Sequence, residues 1–174
     1  MKSIMLYNHG GCENRGCEAI VRSTSALFAP LAKVTLASAQ ADKDAQAGLA
    51  DVSSVIDATI SPYSIHRIIN SIGFRLGMPR ESEVARRYLP VIRQGKRSDV
   101  CLSIGGDTYC YGHQEHLQVI NRRLKRAKKP MVLWGCSVEP SCSRGRRWRI
   151  SRLTTSLWRE SPSRRRPCGM PVCG

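Results

Sequence analysis

The chain has 174 residues and a formal charge of +15, with 28 Lys and Arg against 13 Asp and Glu. Residues 142–174 carry +8 of that charge and the first 141 carry +7, so the basic excess that would suggest a nucleic-acid partner is concentrated at one end. One domain with a real core fits this length, whereas no stretch reaches the ~18 apolar residues of a membrane span.

The first predicted element is a buried strand, Ile4-Met5-Leu6-Tyr7, running into Asn8-His9-Gly10-Gly11. Its apolar run is too short for a signal peptide. A cytoplasmic chain with eight reduced cysteines is therefore expected. After Gly16 the period becomes helical, with Cys17, Ile20, Val21, Thr24, Leu27 and Phe28 on one face and Pro30 as the stop. Val34 to Ala37 reads as a second strand and Asp51 to Asp57 as a third. A weak helix is expected over 65–76, ahead of Gly77-Met78-Pro79. Val84, Tyr88, Val91 and Ile92 predict a helix over 81–94.

Val100 to Ile104 is the clearest buried strand, followed at once by Gly105-Gly106-Asp107. His113, Leu117, Ile120, Leu124 and Ala127 mark a further helix face. Lys125, Arg126, Lys128 and Lys129 stand near its C-terminus, where cations favour the helix dipole. Pro130 ends it, and Met131 to Trp134 is the last strand, before Gly135. Strands alternating with helices predict an α/β fold: a Rossmann-like, doubly wound, mostly parallel sheet over residues 1–141.

Ligands of such sheets sit beyond the carboxyl ends of the strands. Three loops there carry the unusual residues: Asn8 to Ala19, Gly105 to Tyr109, and Gly135 to Pro140. Glycine backbone can approach an anion closely, and the helix opening near Gly16 offers free N–H groups. The same glycines also suit tight turns, and Glu18 also suits a capping role. His9, Gly10, Gly11, Asn14, Gly16, Glu18, Gly105, Gly106 and Asp107 are the candidate substrate-binding residues. His9 is an acid/base or substrate contact, or else a solvated loop histidine. Asp107 orients a sugar hydroxyl or caps its loop or the following helix. His113 and His116 read as helix-surface residues, and Cys101 and Cys136 as buried free thiols. Neither G-x-G-x-x-G nor a Walker A pattern is present, which excludes the usual dinucleotide and P-loop readings.

Taken together the three loops resemble the N-terminal half of the polysaccharide pyruvyl transferase family. Asn14-Arg15-Gly16-Cys17-Glu18-Ala19 is similar to the family's N-x-G-x-E-A loop, with Cys17 where an Asp is common. Ser103-Ile104-Gly105-Gly106-Asp107 is similar to its G-G-G or G-G-D strand end. Lys129-Pro130 through Gly135 is similar to its K-P-x-x-x-x-G strand, continued by Ser137-Val138-Glu139-Pro140. The resemblance covers residues 1 to about 141. It implies transfer of pyruvate from phosphoenolpyruvate to a sugar hydroxyl of a polysaccharide acceptor, with no cofactor or metal. It also implies the N-terminal half of a GT-B-like fold, with a second domain that carries the Arg, Lys or His clamps for phosphoenolpyruvate. Relatives would then be roughly twice this length, and this chain inactive alone.

Residues 142–174 hold nine Arg, no Lys, three Cys, three Pro and two Trp, with Glu160 the only acid. Such a composition predicts little packing. As a binding module, Arg144, Arg146, Arg147, Arg149 and Arg152 with Trp148 and Trp158 would contact phosphates and stack on bases. Cys12-x4-Cys17 and Cys168-x4-Cys173, with His113 and His116, supply zinc ligands on paper, at spacings unlike those of fingers or ribbons. Back-translation two bases on favours a third origin. Trp158-Arg159 with a CGN codon and Met170-Pro171 then each encode Ala, and permissive codons around Trp158 to Ser161 yield an A-R-E-S segment of the kind the family has here. The expectation is a frameshift near Ser141-Cys142 and no nucleic-acid partner.

Overall fold

The structure, a computed structural model, describes residues 1–60, 69, 79–106 and 114–135. In chain order its elements are β1 (Lys2–His9), α1 (Arg15–Phe28), β2 (Ala32–Ser38), α2 (Ala41–Gln46), a 3-10 turn (Leu49–Asp51) and β3 (Ser54–Asp57). These are followed by α3 (Arg80–Arg87), α4 (Leu89–Arg97), β4 (Val100–Ser103), α5 (Glu115–Arg126) and β5 (Met131–Leu133). The five strands form one sheet in the order β3-β2-β1-β4-β5. Every pairing is parallel, with Ile4 opposite Val34 on one side and Val100 on the other. The fold is therefore α/β and doubly wound, as expected from the alternation of elements.

Alternation along β1 divides the core into two layers. Ile4 and Leu6 face one side with Val21, Val34, Leu36, Leu49, Leu102 and Ile104. Met5 and Tyr7 face the other with Val91, Ile92, Cys101, Ile120 and Leu124. Both faces of the central strand are thus covered, which is why β1 reads as a continuous apolar run. The chain covers the first face with α1, and the second with α3, α4 and α5. The winding direction reverses between β1 and β4, which lie side by side.

Three boundaries differ from the sequence expectation. The helix expected over 81–94 is two helices, α3 and α4, which meet at Tyr88 (φ −98°, ψ 25°). Pro90 in the first turn of α4 has no N–H to donate to Arg86 O, so a single helix cannot be continued through it, while the first turn of a new helix tolerates it. The third strand is limited to Ser54–Asp57, because residues 49–51 take a 3-10 turn entered through Gly48 at φ 81°. Helix α2 had no apolar period to announce it. The helix expected over 65–76 lies, apart from Ile69, outside the described residues.

Candidate functional site

The three singled-out loops leave adjacent strands at one edge of the sheet. Ile104 N–H donates to Tyr7 O at 3.0 Å, and Trp134 N–H to Ser103 O at 2.9 Å. The ends of β1, β4 and β5 therefore run on side by side, and β1 and β4 flank the switch point. In open α/β sheets the crevice at such a point is where ligands bind. Gly105 (φ 126°), Gly106 (φ 30°) and Gly135 (φ 61°) all hold left-handed backbone that β-carbons disfavour. Trp134 fastens this edge to α1: its ring lies 5.8 Å from that of Phe28, and its Nε1 donates to Thr24 Oγ1 at 3.0 Å.

The first loop is anchored from behind by α2 and the residue before it. Asn8, in left-handed backbone at φ 72°, sits where the β1–β2 register shifts between Leu6 and His9. Cys12 N–H donates to Asp44 Oδ1 at 2.8 Å, and Lys43 Nζ lies 2.6 Å from Glu13 Oε1. Gln40 packs where a Gly11 β-carbon would stand, its Cδ 3.1 Å away, and its amide donates to Gly10 O at 3.4 Å. Gly11 itself holds φ 127°. Backbone conformation and close contact thus both require glycine there. Among the described residues nothing comes within 4 Å of where a β-carbon at Gly10 or Gly106 would stand, so these are open backbone positions.

His9 is buried, not the solvated loop residue that was the other sequence reading. Its side chain and that of Asp44 are both 0% exposed, with Nε2 2.9 Å from Asp44 Oδ2. The approach is short, but neither His9 ring nitrogen nor Asp44 Oδ2 has an aligned hydrogen bond, so proximity rather than a linear bond defines this pair. Burial pushes the His9 pKa down, against the opposing pull of the Asp44 charge. Burial also opposes the Asp44 charge, yet the Ser38 hydroxyl, the Cys12 N–H and thiol, and His9 together hold its carboxyl below the usual range. A neutral imidazole beside an ionised carboxylate results. The Cys12 thiol is pushed up by its contact with Asp44 and by burial, the opposite of an activated nucleophile.

Unpartnered buried polar atoms gather at this place. Asn8 Nδ2, His9 Nδ1 and Gln40 Oε1 are buried without a hydrogen-bond partner among the described residues. Buried polar groups nearly always have partners, because an unmade bond costs about 1–3 kcal/mol. These atoms lie where β1 and β2 end against α2, which marks that place as built for polar contacts.

The remaining candidate residues divide into accessible and structural groups. Asn14 is the N-cap of α1, its Oδ1 accepting from Gly16 N–H at 2.9 Å and Cys17 N–H at 3.3 Å. The first-turn amides expected to be free are therefore already partly used. Glu18 does not cap the helix: it bridges Arg15 at 3.0 Å and Arg22 at 2.9 Å, and both arginines draw its pKa down. Asp107 and His113 lie outside the described residues, as do Cys136 to Pro140 and residues 142–174. His116 does not stand free on a helix surface; it stacks on Tyr88 at 5.2 Å. Burial and then Arg87 push its pKa down.

Asp44 and Gln40 are site residues that the sequence reading missed. The available signal was Ala41 to Gln46, a run of helix-compatible residues closed by Gly48. Among the described residues no group of three or more His, Cys, Asp or Glu side chains is placed to hold a metal ion. No helix among them is long and apolar enough to cross a membrane. Comparison with protein-family models, curated proteins and solved structures finds no match to this chain.

Proposed function

We propose that residues 1–141 are the N-terminal, acceptor-side half of a transferase similar to the polysaccharide pyruvyl transferases. Such an enzyme forms a ketal from the pyruvate unit of phosphoenolpyruvate and two sugar hydroxyls, with release of phosphate. The observation that carries this reading is the common exit of the three motif-bearing loops from β1, β4 and β5. The strands that lead into these motifs, some ninety residues apart in sequence, are neighbours in the sheet and end on the same side of it. In the proposed site the backbone at Gly10 and Gly106 receives the ligand. Gly11, Asn14 and the His9–Asp44 pair hold the first loop in shape, and Gly105 turns the second. Residues 142–174 are read as the product of a lost reading frame, with no role in recognition.

A specific feature favours binding without turnover by this chain. In the described parts of the three loops the cationic or potentially cationic residues are His9, which is buried, and Arg15, which is committed to Glu18. A phosphate-carboxylate donor needs more clamps than these. We therefore predict no pyruvyl transfer by the chain alone, assayed as phosphate release from phosphoenolpyruvate with a panel of glycans. Glycan binding should still be measurable and should weaken on Gly106→Val. Robust turnover by this chain would show the inactive-half reading to be wrong, and absence of glycan binding would remove the acceptor role. Binding of DNA with steep salt dependence, lost on deleting residues 142–174, would favour a nucleic-acid module instead.

A further inference from the structure

A cleft lies away from the switch point, between the carboxyl end of β3 and helix α4. Its volume is about 410 Å³, and it is lined by Ile56, Asp57, Thr59, Ile60, Pro90, Arg93, Gln94 and Arg97. That size falls within the range of small-molecule sites, roughly 300–1,000 Å³. The transferase reading makes no use of it.

Its chemistry is polarised. Arg93 and Arg97 stand four residues apart on α4, so their guanidinium groups share one helix face. Among the described residues Arg15, Arg22, Arg80 and Arg122 form ion pairs with Glu18, Glu115 or Glu81, whereas Arg93 and Arg97 lie within 4 Å of no carboxylate oxygen. Across the cleft Asp57 presents a carboxylate that is likewise outside every ion pair among the described residues. Thr59 and Gln94 add a hydroxyl and an amide, and Ile56, Ile60 and Pro90 supply apolar wall.

We propose that this cleft binds a compact phosphorylated polyol. Arg93 and Arg97 take the phosphate, for which guanidinium groups are the matched donors. Asp57 accepts from vicinal hydroxyls, a role that a simple anion cannot fill and that a carboxylate at a strand end suits. The apolar residues face the carbon skeleton. A sugar phosphate and the ribose-phosphate of a nucleotide share this chemistry. The site is independent of the transferase reading, since it uses none of the three loops.

Isothermal titration of the full chain with inorganic phosphate, glucose 6-phosphate and adenosine monophosphate tests the assignment. At least one phosphorylated polyol should bind about tenfold or more tightly than inorganic phosphate, and the preferred one identifies the source. Arg93→Gln with Arg97→Gln should abolish binding of all three, with the thermal melt reporting that the fold is kept. Asp57→Asn separates the two halves of the site. It should leave phosphate binding equal or stronger, by removing a repulsive charge, while erasing the polyol advantage. Equal affinity for phosphate and both polyols, no binding at all, or binding untouched by the arginine substitutions would each overturn the proposal.

Discussion

His9 shows how burial changes what a residue does. From sequence it stands in a glycine loop and invites an acid/base role; in the fold it is sealed against Asp44 and neutral. The unfolded chain takes up a proton near pH 6.5 that the buried ring resists, so the unfolded state binds more protons and stability falls on acidification. Asp44 acts in the same direction at lower pH, because its depressed pKa gives stability that is lost as pH falls below about 3.8. His116, also depressed, contributes a parallel loss. We predict that the melting temperature falls between pH 7 and pH 5, and that His9→Gln in a His116→Gln background flattens the fall. An unchanged slope in that double variant would remove the buried histidines as its cause. Cys101, pushed up to about 11 by burial, should resist alkylation at neutral pH until the chain unfolds, as mass spectrometry of labelled peptides would record.

At the level of elements, the strands and the long helices were legible and the short or interrupted ones were not. Apolar runs announced β1 and β4 because both faces of these strands are buried. The spacing of Leu117, Ile120 and Leu124 announced α5, which lays that face on the second layer. Helix α2 stayed hidden because it is only six residues long and four of them are polar; its buried residue is Asp44, a type that periodicity counts as surface. The break at Tyr88 was obscured by an apolar period that runs through it, while Pro90 carried the contrary signal. Helix α4 also illustrates a packing constraint that no pattern shows. A β-carbon at Gly95 would lie 2.6 Å from Leu124 Cδ2 and 2.9 Å from Met5 Cε. Both neighbours are 0% exposed and have little room to yield. Gly95→Ala should therefore destabilise by about 1–2 kcal/mol, overpacking outweighing the ~1 kcal/mol gain in helix propensity. Chemical denaturation measures this, and a stabilised variant would contradict the close packing of α4, α5 and the sheet.

Over the whole molecule, the doubly wound sheet follows from the order of apolar segments, whereas the site depends on contacts that order does not reveal. The glycines could be found because their chemistry is local to the chain. Asp44 and Gln40 could not, since they reach the first loop from a crossover thirty residues later. Electrostatically the molecule divides in two: +7 over residues 1–141 and +8 over residues 142–174. On the proposed reading only the first 141 residues were shaped by selection for a site. The nucleotide sequence of the locus beyond codon 141 tests this most directly. We predict that the frame two bases on stays open past codon 174 and encodes a second domain bearing Arg, Lys and His clamps for a phosphate-carboxylate donor. A shifted frame closed by early stop codons, or one encoding no such domain, would contradict it.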